Sequence, residues 1–105
     1  MDKDKMKKHY SWLNDKYKKA VGYEKKYRNG KNKKIRESGL KDLKYEIDEL
    51  EYLTENNAEL FDLIIPQESS SLGRTIFWNE FFTVQYFTRD LKTTLDKIKD
   101  RINSE

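Results

Sequence analysis

The sequence contains no cysteine, one histidine, one proline and four scattered glycines among its 105 residues. Without cysteine the chain forms neither a disulfide nor a thiolate metal site, and it has no cysteine nucleophile. A single histidine, His9, offers little for a His-based triad or metal cluster, and the separated glycines do not make a phosphate-binding loop. We therefore expect a protein that is not an enzyme and that holds no metal and no cofactor.

Long apolar runs are also missing, and charged residues (39%) outnumber hydrophobic ones (35%). No run approaches the ~20 apolar residues of a transmembrane helix, so we expect no membrane association. Small secreted domains usually rely on disulfides, which favours the cytoplasm for this chain. The two Trp, seven Tyr and five Phe residues are atypical of a disordered chain, and the length predicts a single domain, 1–105.

Amino-acid usage points to an origin. Lys outnumbers Arg 17 to 5, Asn and Tyr occur seven times each, and Ala occurs only twice. Lys, Asn, Tyr and Ile have A/T-rich codons, whereas the codons of Ala and most codons of Arg are G/C-rich. The composition therefore favours a low-G+C genome, such as that of a Gram-positive bacterium, its plasmids or its phages.

Apolar residues recur every three or four positions in three segments of similar length, which is the period of an amphipathic helix. The predicted helices cover about residues 4–28, 39–65 and 74–102. Each would be about 40 Å long, so that the three can bury their apolar faces along one axis. The sequence predicts an all-α fold: an antiparallel three-helix bundle in up-down-up order, with coiled-coil-like packing, whose core a dimer could complete.

The boundaries of these helices rest on few residues. Asn29-Gly30 ends the first helix, Ser38 caps the second, and Pro66 ends it. The stretches between the helices, residues 29–38 and 66–73, are predicted loops.

Residues 75–88 allow a second interpretation. They are rich in β-branched and aromatic side chains, which favour a strand. A hairpin turning at Asn79-Glu80 is the alternative to helix, although it lacks the glycine that such a turn prefers.

Charge is divided unevenly along the chain. Residues 1–37 carry 14 Lys and Arg against 5 Asp and Glu, whereas residues 38–73 carry 2 against 9. The second predicted helix has an acidic stripe with a spacing of three or four: Asp48, Glu51, Glu55, Glu59 and Asp62. This stripe either pairs with lysines of the first helix or faces outward, where it could imitate a nucleic-acid backbone for a DNA-binding partner. The lysines at compatible spacing are Lys8, Lys16, Lys19 and Lys26.

The densest basic patch lies at the end of the first predicted helix and in the loop that follows it. It comprises Lys25, Lys26, Arg28, Lys31, Lys33, Lys34 and Arg36. One interpretation is a solvated loop that keeps the protein soluble. The other is a set of contacts to phosphates or to an acidic partner, although no recognised nucleic-acid-binding motif accompanies the patch.

Aromatic residues in the third segment cover more than one face of a helix. If Phe77 and Phe81 point into the core, then Trp78, Phe82 and Tyr86 point elsewhere. We predict that these three bind a protein partner or a second copy of the chain, because aromatic side chains dominate interface hot spots. The alternative is that the chain's own helices bury them.

Together these features predict a non-enzymatic, cytoplasmic protein-binding module, of the kind with which a phage or mobile element inhibits or regulates a host protein. A nucleic-acid-binding protein that uses residues 25–36 is the first alternative. Residues Tyr86-Phe87-Thr88-Arg89-Asp90 are similar to the Tyr-x-x-x-Asp export signal of small helical type VII secretion substrates, whose Trp-x-Gly turn is missing here. That resemblance implies the second alternative, a helical secretion substrate or its chaperone.

Overall fold

The structure, a computed structural model, describes residues 1–65 and 70–104. Within these ranges the chain forms five α-helices and no strand: α1 (Lys3–Asn29), α2 (Lys33–Glu55), α3 (Ala58–Ile64), α4 (Ser71–Phe81) and α5 (Phe87–Asn103). The predicted all-α fold is confirmed. The alternative hairpin over residues 75–88 is wrong, since these residues belong to α4, a turn and the start of α5. The three-helix bundle is not confirmed, because the second and third predicted helices are each divided in two.

The second predicted helix is interrupted at two consecutive asparagines. Asn56 donates from its side chain to the Tyr52 carbonyl oxygen over 2.8 Å, and Asn57 accepts from the Leu60 backbone N–H over 3.1 Å. Asparagine side chains compete in this way with the hydrogen bonds of a continuing helix. The chain therefore turns at this point and starts α3. The predicted end at Pro66 lies outside the described residues.

The third predicted helix is interrupted around Thr83. The Thr83 hydroxyl donates to the Glu80 carbonyl oxygen at 2.7 Å and accepts from the Tyr86 backbone N–H at 3.3 Å. The helix also begins earlier than predicted, because the Ser70 hydroxyl caps α4 by accepting from the Gly73 N–H at 3.0 Å. The predicted loop over 66–73 is thus helical from Ser71 onward, and residues 66–69 lie outside the described part of the chain.

The first connection is shorter than the predicted loop over residues 29–38. The Asn32 side chain accepts from the Ile35 N–H at 2.9 Å, so α2 begins at Lys33 and Ser38 lies inside it. Two glycines permit this tight return. A Cβ on Gly30 would lie 2.5 Å from the Lys26 carbonyl oxygen, and one on Gly39 would lie 2.6 Å from the Tyr27 nitrogen. The backbones of α1 and α2 therefore meet closely near the connection.

The direction of α5 differs from the predicted order. The Thr88 hydroxyl, at the start of α5, donates over 2.9 Å to Glu24 near the end of α1. Arg101, at the other end of α5, lines a small cavity together with Met1. Consequently α5 runs antiparallel to α1 and in the direction of α2, so the up-down-up order is wrong. In the chain, α3 and α4 come between the end of α2 and the start of α5.

The core draws buried apolar side chains from all five helices. They are Met6, Leu13, Ala20, Leu43, Ile47, Leu50, Leu60, Leu63, Ile64, Ile65, Phe81, Phe87, Leu91, Leu95 and Ile98. Two charged residues are buried with them, Lys16 and Glu46. The Lys16 ammonium lies between α1 and α2, 3.1 Å from Glu46 Oε2 and 2.7 Å from Glu49 Oε1. Across the described ranges, none of the helices combines the length and apolar character needed to cross a membrane.

Candidate functional site

The predicted basic patch lies at the tip of the hairpin formed by α1 and α2. Its seven exposed residues, called the basic tip below, are Lys25, Lys26, Arg28, Lys31, Lys33, Lys34 and Arg36. The first three lie in the last turns of α1, one lies in the connection, and three lie in the first turns of α2. Because only three residues connect the helices, the cations project from two adjacent helix ends, whereas the sequence predicts one helix end and a loop over residues 29–38.

Carboxylates neutralise only part of the basic tip. Arg28 Nε lies 3.4 Å from Glu24 Oε2, and Lys33 Nζ lies 3.8 Å from Glu37 Oε1. Exposed pairs of this kind contribute about 0–1 kcal/mol. Among the described residues, no carboxylate oxygen lies within 4.0 Å of the ammonium groups of Lys25, Lys26, Lys31 and Lys34. These four charges are accessible to an anion.

The charges of α2 run against its helix dipole. The first turn of α2 has no acidic residue, and its last turn has no basic residue. Helices are stabilised by the reverse arrangement, by about 0.3–1 kcal/mol for each well-placed charge. The position of Lys33 and Lys34 is therefore not explained by the stability of α2 itself.

The predicted aromatic site is brought together only in part. Trp78, Phe82 and Tyr86 are all half-buried. The Trp78 ring packs 4.7 Å from the Phe82 ring and 6.1 Å from the Phe61 ring. Tyr86 instead lies under the guanidinium group of Arg89, at 4.3 Å. Within the described ranges, no ring contact joins Tyr86 to Trp78 or Phe82.

Two apolar side chains of α4 are exposed that sequence reasoning does not assign to a site. Leu72 retains 69% of its surface and Ile76 retains 50%. They lie four residues apart, and hence on one face of the helix. Leu72 lies in the predicted loop over 66–73. The sequence therefore does not indicate that Leu72 and Ile76 share one helix face, which depends on the start of α4 at Ser71.

The predicted acidic stripe is shared between two helices. Asp48, Glu51 and Glu55 belong to α2, and Glu59 and Asp62 belong to α3. Glu59 accepts a hydrogen bond from Lys5 Nζ at 3.2 Å. In the part of the chain that the structure describes, the other four form no ion pair.

Pairing between α1 and α2 uses other carboxylates than those of the stripe. The partners of Lys16 are Glu46 and Glu49, and the hydrogen bond from Lys16 holds the pKa of the Glu49 carboxyl below its ordinary value. The expectation that the stripe pairs with lysines of the first helix is therefore met at one point, by Lys5 with Glu59. Within the described residues the lysines at compatible spacing form no ion pair with the stripe: Lys8, Lys16, Lys19 and Lys26.

A cavity of about 390 Å³ lies between α3, α4 and α5. Phe77 and Ile98 contribute apolar surface, and Asp90, Lys97 and Arg101 contribute charge. Its volume is near the lower end of the range for small-molecule sites.

The one histidine lies away from this cavity, where Trp12 Nε1 donates to His9 Nδ1 over 3.1 Å. In the described residues no three His, Asp or Glu side chains converge to hold a metal ion.

No protein-family model matches the chain, and no curated protein or solved structure matches it. The proposals below therefore rest on the exposed side chains of α4, of the basic tip and of α2.

Proposed function

We propose that this chain is a non-enzymatic helical protein-binding module, with which a phage or mobile element inhibits or regulates a host protein. The surface that binds the partner is carried by α4. It comprises Leu72, Ile76, Trp78 and Phe82 and is called the α4 surface below. Tyr86 follows these residues in the sequence and is half-buried next to Arg89.

The supporting observation is the contrast between the composition of α4 and its burial. Five of its eleven residues are apolar, yet only Phe81 is buried. Burying a Leu or Ile side chain fully stabilises by about 1.5–3 kcal/mol. Leu72 is 69% exposed and Ile76 is 50% exposed, so the folded chain realises only part of this free energy. A partner that covers both side chains would gain the remaining part on binding.

The aromatic residues add the chemistry that protein interfaces favour. Trp78 and Phe82 present the accessible parts of two rings in mutual contact, and aromatic residues are over-represented among the residues that dominate binding energy. Because the chain's own core holds the other parts of these rings, they are ordered before a partner arrives, which lowers the entropic cost of binding.

The test is capture from a lysate of a low-G+C Gram-positive bacterium, treated with nuclease and washed at about 300 mM salt, where phosphate contacts are weak. We expect the wild-type chain to retain one host protein in stoichiometric amount. The double variant Leu72→Ser/Ile76→Ser should lose it. Leu53→Ser, which changes an exposed apolar residue of α2, is the matched control and should retain it.

Circular dichroism of the three proteins shows whether each is folded, and both α4 positions are exposed enough for the double variant to fold normally. Equal retention by wild type and the α4 variant would contradict the assignment of the surface. Retention of no protein at all would contradict the function.

A second candidate function, nucleic-acid binding, is favoured by a separate observation. The basic tip places seven cations within residues 25–36, a range without any acidic residue, and four of them have no carboxylate nearby among the described residues. Six phosphate contacts would give a slope of about −5 in a plot of log affinity against log salt concentration.

Fluorescence anisotropy with labelled duplex DNA and RNA, between about 50 and 200 mM salt, tests this candidate. The variant Lys25→Gln/Lys31→Gln should reduce the magnitude of this negative slope by about 2, because each phosphate contact contributes ~0.9. Lys97→Gln/Lys99→Gln on α5 is the charge-matched control. Equal slopes for the two variants would exclude the basic tip as the nucleic-acid site.

A further inference from the structure

The outer face of α2 is a second exposed surface, on a different helix from the α4 surface. Seven of its residues recur at intervals of three or four on the side opposite the buried residues of α2: Lys34, Glu37, Lys41, Tyr45, Asp48, Tyr52 and Glu55. All seven are exposed, and Tyr45 and Tyr52 retain 66% and 65% of their surface. This set is called the outer stripe below.

The outer stripe is cationic in its first half, except for Glu37, and anionic in its second. Glu37 already pairs with Lys33, whose Nζ lies 3.8 Å from Glu37 Oε1. Lys34 and Lys41 come first along the helix, and Asp48 and Glu55 follow. Within the described residues none of these four forms an ion pair. The order of signs also opposes the dipole of α2, which favours acidic residues at the start of a helix. A single copy of the chain therefore leaves this charge pattern without compensation.

A second copy of the same helix, running antiparallel, compensates all four charges at once. Residues 41 and 48, and likewise residues 34 and 55, are centred on the same point between residues 44 and 45. One register of an antiparallel pair thus places Lys41 opposite Asp48 of the second copy and Lys34 opposite Glu55 of the second copy. Two-fold symmetry repeats both pairs, since the contact is between identical surfaces.

We propose that the chain forms a two-fold symmetric homodimer through the outer stripe of α2. In this register Tyr45 lies beside the symmetry axis, against the same residue of the second copy. Tyr52 lies level with Glu37 of the second copy and beside Ser38 of the second copy, whose small side chain leaves room for the ring. The two tyrosines supply apolar contact area, and the charges fix direction and register.

The charge pattern selects a second copy over other partners. A uniformly basic partner would be repelled by Lys34 and Lys41, and a nucleic acid would meet Asp48 and Glu55. A contact limited to one helix face belongs to the small class of interfaces, below about 1,200 Å² in total, which is typical of transient complexes. We therefore expect a reversible, salt-sensitive dimer.

Sedimentation velocity between about 5 and 500 µM, at low salt, tests the proposal with charge reversals. Wild type should dimerise as its concentration rises. Lys41→Asp alone and Asp48→Lys alone should each weaken dimerisation at least tenfold, since each places two like charges opposite one another twice. An equimolar mixture of the two variants should dimerise again, because every pair in the mixed dimer is then of opposite charge.

Lys99→Asp, an exposed charge reversal on α5, is the control and should dimerise as wild type does. Positions 41 and 48 are both exposed, so helical content measured by circular dichroism should not change in any variant. A wild-type chain that stays monomeric up to the highest concentration would overturn the proposal. So would single variants that dimerise like wild type, a mixture that does not associate, or a dimer abolished by Leu72→Ser/Ile76→Ser on α4.

Discussion

α5 buries five of its seventeen residues, whereas α4 buries one of its eleven, although apolar residues make up a larger share of α4. In α5 the apolar positions, such as Leu91, Leu95 and Ile98, recur every three or four residues and form one face. In α4 they surround the helix, so that Leu72 and Ile76 point away from Phe81. The comparison shows that the spacing of apolar residues, and not their number, determines how much of a helix the core can cover.

The two helices should therefore differ in local stability. α5 is also fixed to α1 by the hydrogen bond from Thr88 to Glu24, whereas α4 is held mainly by Phe81 and by half-buried rings. Segments with few buried contacts open at a lower free energy than the core, and binding surfaces are often drawn from them. We expect the amides of α4 to exchange hydrogen faster than those of α5.

The largest effect is expected from Phe81→Ala. Phe81 is fully buried, with its ring 5.3 Å from that of Phe77 and 5.7 Å from that of Phe87. Removing the ring should lower the free energy of unfolding by about 3–5 kcal/mol. Urea denaturation measures the loss, and hydrogen exchange should show α4 opening first. A loss below about 1 kcal/mol would mean that Phe81 does not hold α4 to the core.

Leu91→Ala is the corresponding test in α5. Leu91 is fully buried on the regular apolar face, and its truncation should lower the free energy of unfolding by about 2–5 kcal/mol. The neighbouring helices α4 and α1 should lose protection together, because α5 is part of the shared core. The control Lys99→Ala, at an exposed position of the same helix, should stay within about 0.5 kcal/mol of wild type in urea denaturation.

Ser70→Ala should have a smaller effect, confined to α4. Ser70 caps α4 through the Gly73 N–H, and loss of such a cap costs about 0.5–2 kcal/mol. The residue before α5, Tyr86, forms no side-chain cap, so α5 depends on its buried face instead. Hydrogen exchange should therefore show faster opening in α4 and no change in α5. Equal acceleration in both helices would show that they open as one unit.

Features that a periodic pattern encodes could be predicted from the sequence, and features that single side chains decide could not. The apolar spacing and the end at Asn29-Gly30 predict the first helix over 4–28, and α1 spans Lys3–Asn29. The breaks at Asn56-Asn57 and Thr83 depend on side-chain hydrogen bonds. Neither break contains a glycine or proline, which would have indicated a helix end in the sequence. The direction of α5 depends on contacts distant in sequence, such as Thr88 with Glu24.

The candidate sites follow the same division. The basic tip could be predicted as a cluster, since its residues are neighbours in sequence, but its rigid setting at two helix ends depends on the close approach at Gly30 and Gly39. The α4 surface could not be predicted in full, because Leu72 lies within a stretch whose composition is typical of a loop. The outer stripe of α2 is defined by the side of the helix that the core leaves exposed, so it follows from the buried residues of α2 and not from a sequence motif.

The smallest effect on stability is expected from Leu72→Ser. The side chain is 69% exposed, so the free energy of unfolding in urea should change by no more than about 0.5 kcal/mol. The same substitution at Leu95, which is 2% exposed on α5, should be severely destabilising. If Leu72→Ser proved as destabilising as the substitution at Leu95, then Leu72 would be covered within the monomer, and the unequal burial of α4 and α5, on which the α4 surface depends, would not exist in solution.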